Sequence, residues 1–302
     1  MPKILNIGSI NIDYVYAVPH FVQSGETLFA DSRQIFPGGK GLNQSVALAR
    51  SGAGVSHAGI VGDDGAGCLN VLSDAGVDTG LVEKSKASTG HAIIQVTPEG
   101  RNCILLYQGA NRELDEGFVD RALASFGEGD ILVLQNEVSC IGYAMKAAAA
   151  KKMRIAFNPS PMDAKILGYP LELVTWFLLN EIEGHAFTGK KEPDEILRSL
   201  GEKYEKACIV LTLGEAGVRC ISEGQILRHE ACKTSVVDTT AAGDTFTGYF
   251  ISSVASGETL RDSIELASIA ASIAVSEKGA AVSIPSMEKV RARALALKED
   301  RL

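Results

Sequence analysis

The chain has 302 residues, 46% of them hydrophobic, and a formal net charge of -8 at pH 7. This acidic balance argues against nucleic acid or an anionic membrane surface as a partner, because both require clustered lysine and arginine side chains. The length and the apolar content suffice for one large core, and we expect a single folded domain over residues 1–302.

The first predicted element is an apolar strand that runs from Asn6 to Asp13 and ends in polar side chains. Asn11 and Asp13 are two residues apart, so they lie on the same face of that strand. Open α/β sheets bind their ligands at the carboxyl ends of strands. Both residues are therefore candidates for a binding site.

A glycine-rich loop, Phe36–Gln44, precedes a segment with helical spacing, Ser45–Arg50. The loop combines three glycines, one cation and one amide, namely Gly38, Gly39, Gly41, Lys40 and Asn43. Glycines give a turn without side chains, and the amide offers both a donor and an acceptor. The loop suits a polyhydroxy ligand, although glycine pairs are also frequent in ordinary turns ahead of helices.

The first third of the chain also carries strand-like segments without helices between them. They are Tyr14–Val18, Thr27–Ile35, Gly90–Val96 and Asn102–Tyr107. Thr97-Pro98-Glu99-Gly100 is typical of a hairpin turn. We expect a small antiparallel sheet, built from about residues 12–36 and 89–108. A sheet with little covering it must close over a ligand or pair with a copy of itself.

From residue 131 onward, short aliphatic runs alternate with helical segments. The runs are Ile131–Leu134, Ile155–Phe157, Trp176–Leu179 and Ile209–Leu213, and the clearest helix is Ile141–Lys151. Such alternation predicts an α/β fold with a mostly parallel central sheet and helices on both faces.

Two further glycine motifs are interpreted as structural. Gly184–Lys191 nearly matches a phosphate-binding P-loop, but Lys191 stands where a serine or threonine should hold magnesium, so we expect the end of a helix. Gly62–Gly67 lacks the alternating oxygen ligands of a calcium loop and the glycine order of a dinucleotide loop. It is interpreted as a plain turn.

The most informative segment is Asp238–Gly248, which precedes a long apolar helix. Its small residues allow a ligand to approach the backbone, and the first peptide N–H groups of the helix are unpaired. Together they predict an anion site in which Asp244 can act as a base beside a phosphate. The alternative is an ordinary capping aspartate after a glycine turn.

The cysteine and histidine patterns bear on compartment and metal binding. The six cysteines are scattered without a Cys-x-x-Cys pair, and the N-terminus has no signal-type apolar segment. The longest apolar stretch, around 264–275, is too short to span a bilayer. We expect a cytoplasmic protein without a membrane partner. The five histidines are dispersed, which argues against a zinc site.

Four segments in this order resemble the signatures of the ribokinase family of carbohydrate kinases. They are Gly8–Asp13, Gly38–Gln44, Asn180–Glu183 and Asp238–Phe246. The resemblance covers essentially the whole chain and implies a ribokinase-like fold whose small sheet serves as a lid and as a homodimer contact. It also implies an ATP-dependent sugar kinase, most similar to members that phosphorylate D-ribose on the 5-hydroxyl.

Two alternatives remain at this point. One is a kinase for another furanose, a deoxyribose or a nucleoside, which the lid residues Tyr14, Ala92 and Tyr107 would decide by shape. The other is a catalytically silent sugar- or nucleotide-binding regulator on the same fold. The intact Asp244 argues against the silent protein, which would not need a base.

The resemblance assigns roles to individual residues. Asp244 would take the proton of the sugar hydroxyl, while the N–H groups around Ala242 and Gly243 hold the developing charge. The implied sugar contacts are Asn11, Asp13, Gly39, Lys40, Asn43, Glu137 and Asp244. The implied contacts to ATP and its Mg²⁺ are Asn180, Glu183, Thr212, Gly214, Gly217, Gly243 and Ser268. Ser268 departs from members that carry a histidine there against the adenine.

A monovalent cation, K⁺, is the last implied ligand. The family's potassium positions correspond to Asp238, Thr240, Ala274, Glu277, Gly279 and Ser283. Only Asp238 and Ser283 would contribute side chains. Helix C-termini present unpaired carbonyls that suit a hard cation, although a capped helix end with Gly279 past its last turn is the plain alternative.

Overall fold

The computed structural model describes residues 1–299, and the side chains up to residue 297. Within that range the strands are β1 (Ile4–Ile7), β2 (Asn11–Ala17), β3 (Ser32–Gly38), β4 (Val55–Val61), β5 (Asp78–Lys84), β6 (Gly90–Val96), β7 (Asn102–Tyr107), β8 (Ile131–Gln135), β9 (Arg154–Asn158), β10 (Trp176–Asn180), β11 (Cys208–Thr212), β12 (Val218–Ser222) and β13 (Gln225–His229). The helices are α1 (Lys40–Arg50), α2 (Ala66–Asp74), α3 (Glu116–Leu123), α4 (Ile141–Ala150), α5 (Glu181–Thr188), α6 (Pro193–Lys203), α7 (Ala242–Ala255), α8 (Leu260–Ala274) and α9 (Met287–Glu299).

The large sheet has the strand order β13-β12-β11-β10-β9-β8-β1-β4-β5. Seven neighbouring strands from β11 to β5 run parallel, and β12 and β13 add an antiparallel hairpin at one edge. Parallel strands are covered on both faces, which explains why their sequences are continuous aliphatic runs rather than alternating ones. The predicted α/β fold class is confirmed.

Helices pack on both faces of this sheet and form two cores. Alternate side chains of one strand enter opposite cores: Leu132 and Leu134 of β8 join one, and Ile131 and Val133 join the other. The first core packs against α3, α4 and α6, and the second against α1, α2, α7 and α8. The fold therefore has three layers, helix, sheet and helix.

The strand order reverses between β1 and β8. From β1 the sheet grows in one direction through β4 and β5, and in the other direction through β8 and the later strands. Such a switch point leaves a crevice at the carboxyl ends of the strands, where ligands of open α/β folds bind.

The second sheet has the order β3-β2-β6-β7. Its outer pairings, β2 with β3 and β6 with β7, are antiparallel as predicted, whereas the central pair β2 and β6 runs parallel. The predicted strand Thr27–Ile35 begins only at Ser32. The predicted turn at 97–100 is present, since the Gly100 N–H donates to the Thr97 carbonyl at 2.9 Å.

One predicted strand proves to be two. The first strand of the large sheet ends at Ile7, and Asn11 and Asp13 belong to β2 of the small sheet. The chain leaves the large sheet at Gly8, where an added Cβ would lie 2.4 Å from Gln135 Oε1 and 2.6 Å from Gly41 Cα. Gly8 is therefore a point of close backbone approach that leaves no room for a side chain, and β2 of the small sheet begins three residues later.

Two further expectations concern membranes and disulfides. None of the helices within residues 1–299 is long and apolar enough to cross a bilayer. The six cysteines lie within the described residues and form no disulfide, although the sulfurs of Cys208 and Cys220 are 3.4 Å apart. The predicted helix end at Gly189 is present, with a left-handed φ of 69°.

Candidate active site

Helix α7 begins at the late motif and presents unpaired backbone donors. Ala241 has a left-handed φ of 60°, which turns the chain into the helix, and the Ala242 N–H donates to the Thr239 carbonyl at 3.3 Å. Among residues 1–299, no acceptor contacts the N–H groups of Gly243 and Asp244. A helix N-terminus with free N–H groups and a positive dipole end attracts an anion.

The Asp244 carboxylate, which is buried, accepts hydrogen bonds from two amides of helix α1. Asn43 Nδ2 donates to Oδ2 at 3.0 Å, and Gln44 Nε2 donates to Oδ1 at 2.9 Å. Both oxygens keep a further lone pair, so the group can still accept a proton from a ligand. The two motifs that the sequence places 200 residues apart thus meet at one carboxylate.

A glycine brings the two helices together. Gly248 lies one turn after Asp244 on α7, and a Cβ there would lie 2.4 Å from the Ala47 Cβ and 2.8 Å from the Leu48 nitrogen. The backbone of α1 therefore packs directly on α7 at this point. This close approach explains how short amide side chains of α1 can reach Asp244.

Glu137 and Ser9 hold the glycine-rich loop at the end of β1 and β8. Glu137 Oε2 accepts a short hydrogen bond from Ser9 Oγ and a 3.1 Å bond from the Lys40 backbone N–H. The Gly41 N–H donates to Ser9 Oγ at 3.2 Å. Gly39 adopts a φ of 92° with the Ser9 carbonyl 3.1 Å from its ideal Cβ position, so only glycine fits there without strain. Glu137 thus fixes the loop as well as facing the site.

The site carries several interacting charges. Burial raises the pKa of Asp13 to about 7, with further increases from the nearby carboxylates of Glu137 and Asp244. Burial also raises the pKa of Glu137 and outweighs the opposing effect of Lys40. Burial alone would lower the pKa of Lys40, but the surrounding carboxylates prevail and raise it. These carboxylates belong to Asp244, Glu137 and Glu183.

Asn111 fixes the junction between the large sheet and the small sheet. Its side chain accepts from the Ile10 N–H at 3.1 Å and donates to the Ile10 carbonyl at 3.2 Å, as a neighbouring strand would. It also donates to Asn11 Oδ1 at 2.8 Å. The oxygen of Asn11 is thereby turned toward Asn111, and its NH₂ group is left for another partner.

The predicted nucleotide residues lie at the carboxyl ends of β10 and β11. Asn180 and Glu183 form a capping box: Glu183 N donates to Asn180 Oδ1 at 2.9 Å, and Asn180 N donates to Glu183 Oε2 at 3.0 Å. Thr212 pairs with Asn180 across the sheet, and the tight turn after it contains Gly214 and Gly217, both with positive φ. The capping box leaves one Glu183 oxygen available.

Ser268 lies on α8 with its hydroxyl buried. Its Oγ has no hydrogen-bond partner among residues 1–299. A buried hydroxyl without a partner is costly and needs a reason. A ligand atom would supply the missing bond.

Two loops carry the predicted cation positions. The Asp238 N–H donates to the Val275 carbonyl at 3.1 Å, and the Gly279 N–H donates to Asp238 Oδ2 at 3.0 Å. Burial would raise the pKa of Asp238, but hydrogen bonds from Thr240 and Gly279 outweigh it and lower the pKa. Asp238 is therefore an anion that joins the loop before α7 to the loop after α8.

The other cation positions are near the same junction. Ser283 is buried and its Oγ donates to the Ala280 carbonyl at 2.9 Å, while the Ala274 carbonyl accepts from the Glu277 N–H at 3.2 Å. The Glu277 carboxylate forms an exposed ion pair with Lys289 at 3.3 Å.

Sequence reasoning missed the buried polar residues beneath the site. They are Asn6, Ser9, Gln44, Gln135 and Asn111, all less than a tenth exposed. The available signal was a polar side chain inside an otherwise aliphatic run, as at Asn6 and Gln135. Such a residue needs a buried partner, but the sequence does not identify that partner.

Comparisons with known proteins identify the family to which this chain is similar. A model of the pfkB family of carbohydrate kinases matches residues 1–287. A ribokinase of Haemophilus influenzae is 36% identical over 300 residues, which cover 96% of this chain and 97% of the relative. A deoxyribokinase of Salmonella typhi is 30% identical and covers 94% of this chain and 95% of its own length.

The structure is also similar to solved structures of ribokinases. A ribokinase of Cryptococcus neoformans in complex with ADP has a TM-score of 0.86 at 34% identity, covering 97% of this chain and 100% of its own. A ribokinase of Arabidopsis thaliana complexed with ribose and ATP has a TM-score of 0.87 at 26% identity, covering 97% and 98%.

Proposed function

The chain belongs to the pfkB family of carbohydrate kinases, and on that premise we propose that it transfers the γ-phosphoryl group of ATP to the 5-hydroxyl of D-ribose. The observation that carries the proposal is the Asp244 carboxylate beside two unpaired N–H groups at the start of α7. A base and an anion site adjoin at one helix end, as phosphoryl transfer to an alcohol requires.

In this proposal, Asp244 accepts the proton of the sugar hydroxyl as that oxygen attacks phosphorus. The N–H groups of Gly243 and Asp244, with that of Ala242 beside them, stabilise the charge on the transferred group. Asn43 Oδ1, which is buried and without a partner among residues 1–299, is free to accept from a sugar hydroxyl. Catalysis of this kind rests on positioning and electrostatics more than on a strong base.

Sugar recognition is assigned to the residues around that carboxylate. Asn11, Asp13, Gly39, Lys40 and Glu137 converge on the crevice between β1, β8 and the lid. Buried polar groups that lose a partner discriminate strongly against an analogue that lacks a hydroxyl. We therefore expect ribose to be preferred to 2-deoxyribose, with deoxyribose phosphorylation as the second candidate because a deoxyribokinase is among the relatives.

ATP and Mg²⁺ are assigned to the neighbouring strand ends. Asn180 and Glu183 suit a hydrated Mg²⁺, because one Glu183 oxygen remains outside the capping box. The ion would neutralise charge on the phosphates. Thr212, Gly214 and Gly217 would contact the nucleotide, and the unpartnered hydroxyl of Ser268 is available to it.

K⁺ is proposed as an activator at the junction of the two loops. The support is the ionised Asp238 carboxylate, which already bonds the Thr240 and Gly279 backbone N–H groups. Ser283 and the carbonyls of Ala274, Glu277 and Gly279 would complete an oxygen site behind the anion site. A cation there would stabilise the loop that orients the N–H groups of α7.

A homodimer and a cytoplasmic location complete the proposal. The small sheet exposes apolar side chains that its strand pairing places on one face, namely Ile35, Leu105 and Tyr107. A second copy would cover this surface and protect the edge strands, and sedimentation of the purified protein tests it. Six cysteines without a disulfide among the described residues agree with a reducing compartment, which fractionation of cells would test.

One experiment tests the central assignment. ADP release is measured with a panel of D-ribose, 2-deoxyribose, other furanoses and nucleosides, for the wild type and for Asp244→Asn. We expect ribose to give the highest kcat/KM and the variant to lose about 10²- to 10⁴-fold in kcat while still binding ATP. Equal kcat/KM for ribose and deoxyribose, preference for a nucleoside, or an active Asp244→Asn would contradict the proposal.

A further inference from the structure

We propose that Gln44 is a positioning residue for the base, and that Gln135 holds the Gln44 amide in place from its oxygen end. The inference rests on the proposed role of Asp244 as the base. Both polar atoms of the Gln44 side chain have protein partners, so its whole effect would be exerted through the carboxylate.

The first step is the contact itself. Gln44 is fully buried on α1, and its Nε2 lies 2.9 Å from Asp244 Oδ1. Asn43 Nδ2 contacts the other oxygen at 3.0 Å. Two donors on different oxygens fix both the position of the carboxylate and the rotation of its plane.

The second step is the partner of the Gln44 oxygen. Gln135 ends strand β8 and is fully buried, and its Nε2 donates to Gln44 Oε1 at 2.7 Å. An amide presents a donor at one end and an acceptor at the other. With its oxygen held by Gln135, Gln44 must direct its NH₂ group toward Asp244.

The third step shows what prevents the amides from reversing. Gln135 Nε2 also donates to Asn6 Oδ1 at 3.0 Å, and Asn6 Nδ2 donates to the Gly41 carbonyl at 2.8 Å. A backbone carbonyl can only accept, so it fixes the orientation of Asn6. Asn6 then fixes Gln135, and Gln135 fixes Gln44. The Gly41 carbonyl at one end and the Asp244 carboxylate at the other both accept only, so all three amides of the row have the same direction.

The Asp244 carboxylate accepts only, so it selects the NH₂ end of Gln44 by itself, and the bond from Gln135 adds the position of that amide. Without Gln135, the Gln44 amide loses the bond that holds its oxygen and can move off Asp244 Oδ1, which leaves the carboxylate free to rotate. A shift of about 1 Å at a reacting group can cost about 100-fold in rate. Gln135 therefore affects catalysis without contacting Asp244 or the substrate.

The test is a double-mutant cycle with Gln44→Met and Gln135→Met, measured on the best sugar of the panel. Methionine keeps the length of glutamine and removes the hydrogen bonds. We expect Gln44→Met to lower kcat about 10- to 100-fold and Gln135→Met to lower it less, with KM for sugar and ATP within about 3-fold of the wild type. The double variant should equal Gln44→Met alone, because Gln135 acts only through Gln44.

The control is Ser263→Ala. Ser263 Oγ donates to Ser253 Oγ of α7 at 2.9 Å, so this variant also removes one buried hydrogen bond from the helix that carries Asp244. Its kcat should stay within about 2-fold of the wild type. A comparable kcat loss in this variant would mean that any buried polar deletion lowers the rate, which overturns the proposal.

Other outcomes are also decisive. The inference would be overturned if the kcat loss of the double variant equalled the product of the two single-variant losses. It would also be overturned if the variants raised KM without changing kcat. If Gln44→Met does not fold by circular dichroism, Gln135→Met alone carries the test. Its crystal structure should lack the Gln44 Nε2 to Asp244 Oδ1 contact, and an intact contact would contradict the proposal independently of activity. Ribose turnover by the wild type reports separately on the proposed function.

Discussion

Replacing Gly248 by alanine should separate helices α1 and α7. The new Cβ would lie 2.4 Å from the Ala47 Cβ, 2.8 Å from the Leu48 nitrogen and 2.9 Å from the Ala47 carbonyl carbon. Carbon atoms pack at about 3.5–4.0 Å, so the helices must move apart by roughly 1 Å. None of the three atoms can rotate away, because two are backbone and one is an alanine methyl.

The expected effect on stability is small and the effect on rate is large. Overpacking costs about 1–3 kcal/mol, and the higher helix propensity of alanine offsets about 1 kcal/mol of that. The net loss is about 0–2 kcal/mol. Asn43 and Gln44 lie one turn before Ala47 and Leu48, and they contact Asp244 at 3.0 and 2.9 Å. A 1 Å separation breaks both bonds, so we expect kcat to fall about 100-fold.

The assay combines steady-state kinetics with urea unfolding. The matched control is Gly67→Ala in helix α2, where nothing lies within 4 Å of an added Cβ. That control should gain about 0.5–1 kcal/mol and keep its kcat. A Gly248→Ala variant with wild-type kcat would refute the argument that this glycine sets the distance between α1 and Asp244.

Two further predictions concern pH and cations. Asp13 has a pKa of about 7 in the folded chain, so its contribution to stability is present at low pH and is lost as the pH rises from about 4 to 7. In Asp13→Asn, the free energy of unfolding measured with urea should fall less between about pH 4 and pH 7 than it does in the wild type. Parallel plots of this free energy against pH for the two proteins would contradict the prediction. Replacing K⁺ by Na⁺ at constant ionic strength should lower the wild-type rate, and Asp238→Ala should remove most of that dependence along with most of the rate. If dialysed wild-type enzyme has the same rate in K⁺ and in Na⁺, the cation site is refuted, while the kinase assignment stays intact.

The central fold follows from patterns that are local in sequence. Aliphatic runs near 131, 155, 176 and 209 alternate with helices, and each became a strand of the parallel sheet. Burial on both faces makes such strands uniformly apolar, which is a strong signal. Helix starts were less exact: helical spacing predicted the first helix from Ser45, whereas α1 begins at Lys40. The helix predicted to follow the late motif is present as α7, which begins at Ala242.

The small sheet was less predictable. Asn11 and Asp13 follow the first strand so closely that the sequence predicts one continuous element, whereas β1 ends at Ile7 and β2 begins at Asn11. The parallel pairing of β2 with β6 joins segments about 80 residues apart. Pairings at that range leave no periodicity in the sequence, since alternation fixes which face is buried but not which strand lies alongside.

Within the site, residue types were predictable but their mutual contacts were not. Asp244 and Lys40 could be named because they lie in glycine-containing motifs ahead of helices, whereas Glu137 was named from the family resemblance alone. Gln44 and Gln135 could not, since nothing local indicates that two glutamines 91 residues apart are hydrogen-bonded. Their significance emerges only when the fold places both beneath Asp244.

Three buried amides beneath Asp244 distinguish this part of the core from the apolar remainder. The three are fully buried and belong to β1, α1 and β8, namely Asn6, Gln44 and Gln135. Apolar side chains would pack there without desolvating any polar group. Burying an amide costs about 1–3 kcal/mol wherever a partner is missing, and Gln135 Oε1 has none among residues 1–299. An apolar core would avoid that cost, so stability alone does not account for the row. The row of amides begins at the Gly41 carbonyl and ends at the Asp244 carboxylate. Holding that carboxylate in one orientation would account for the row.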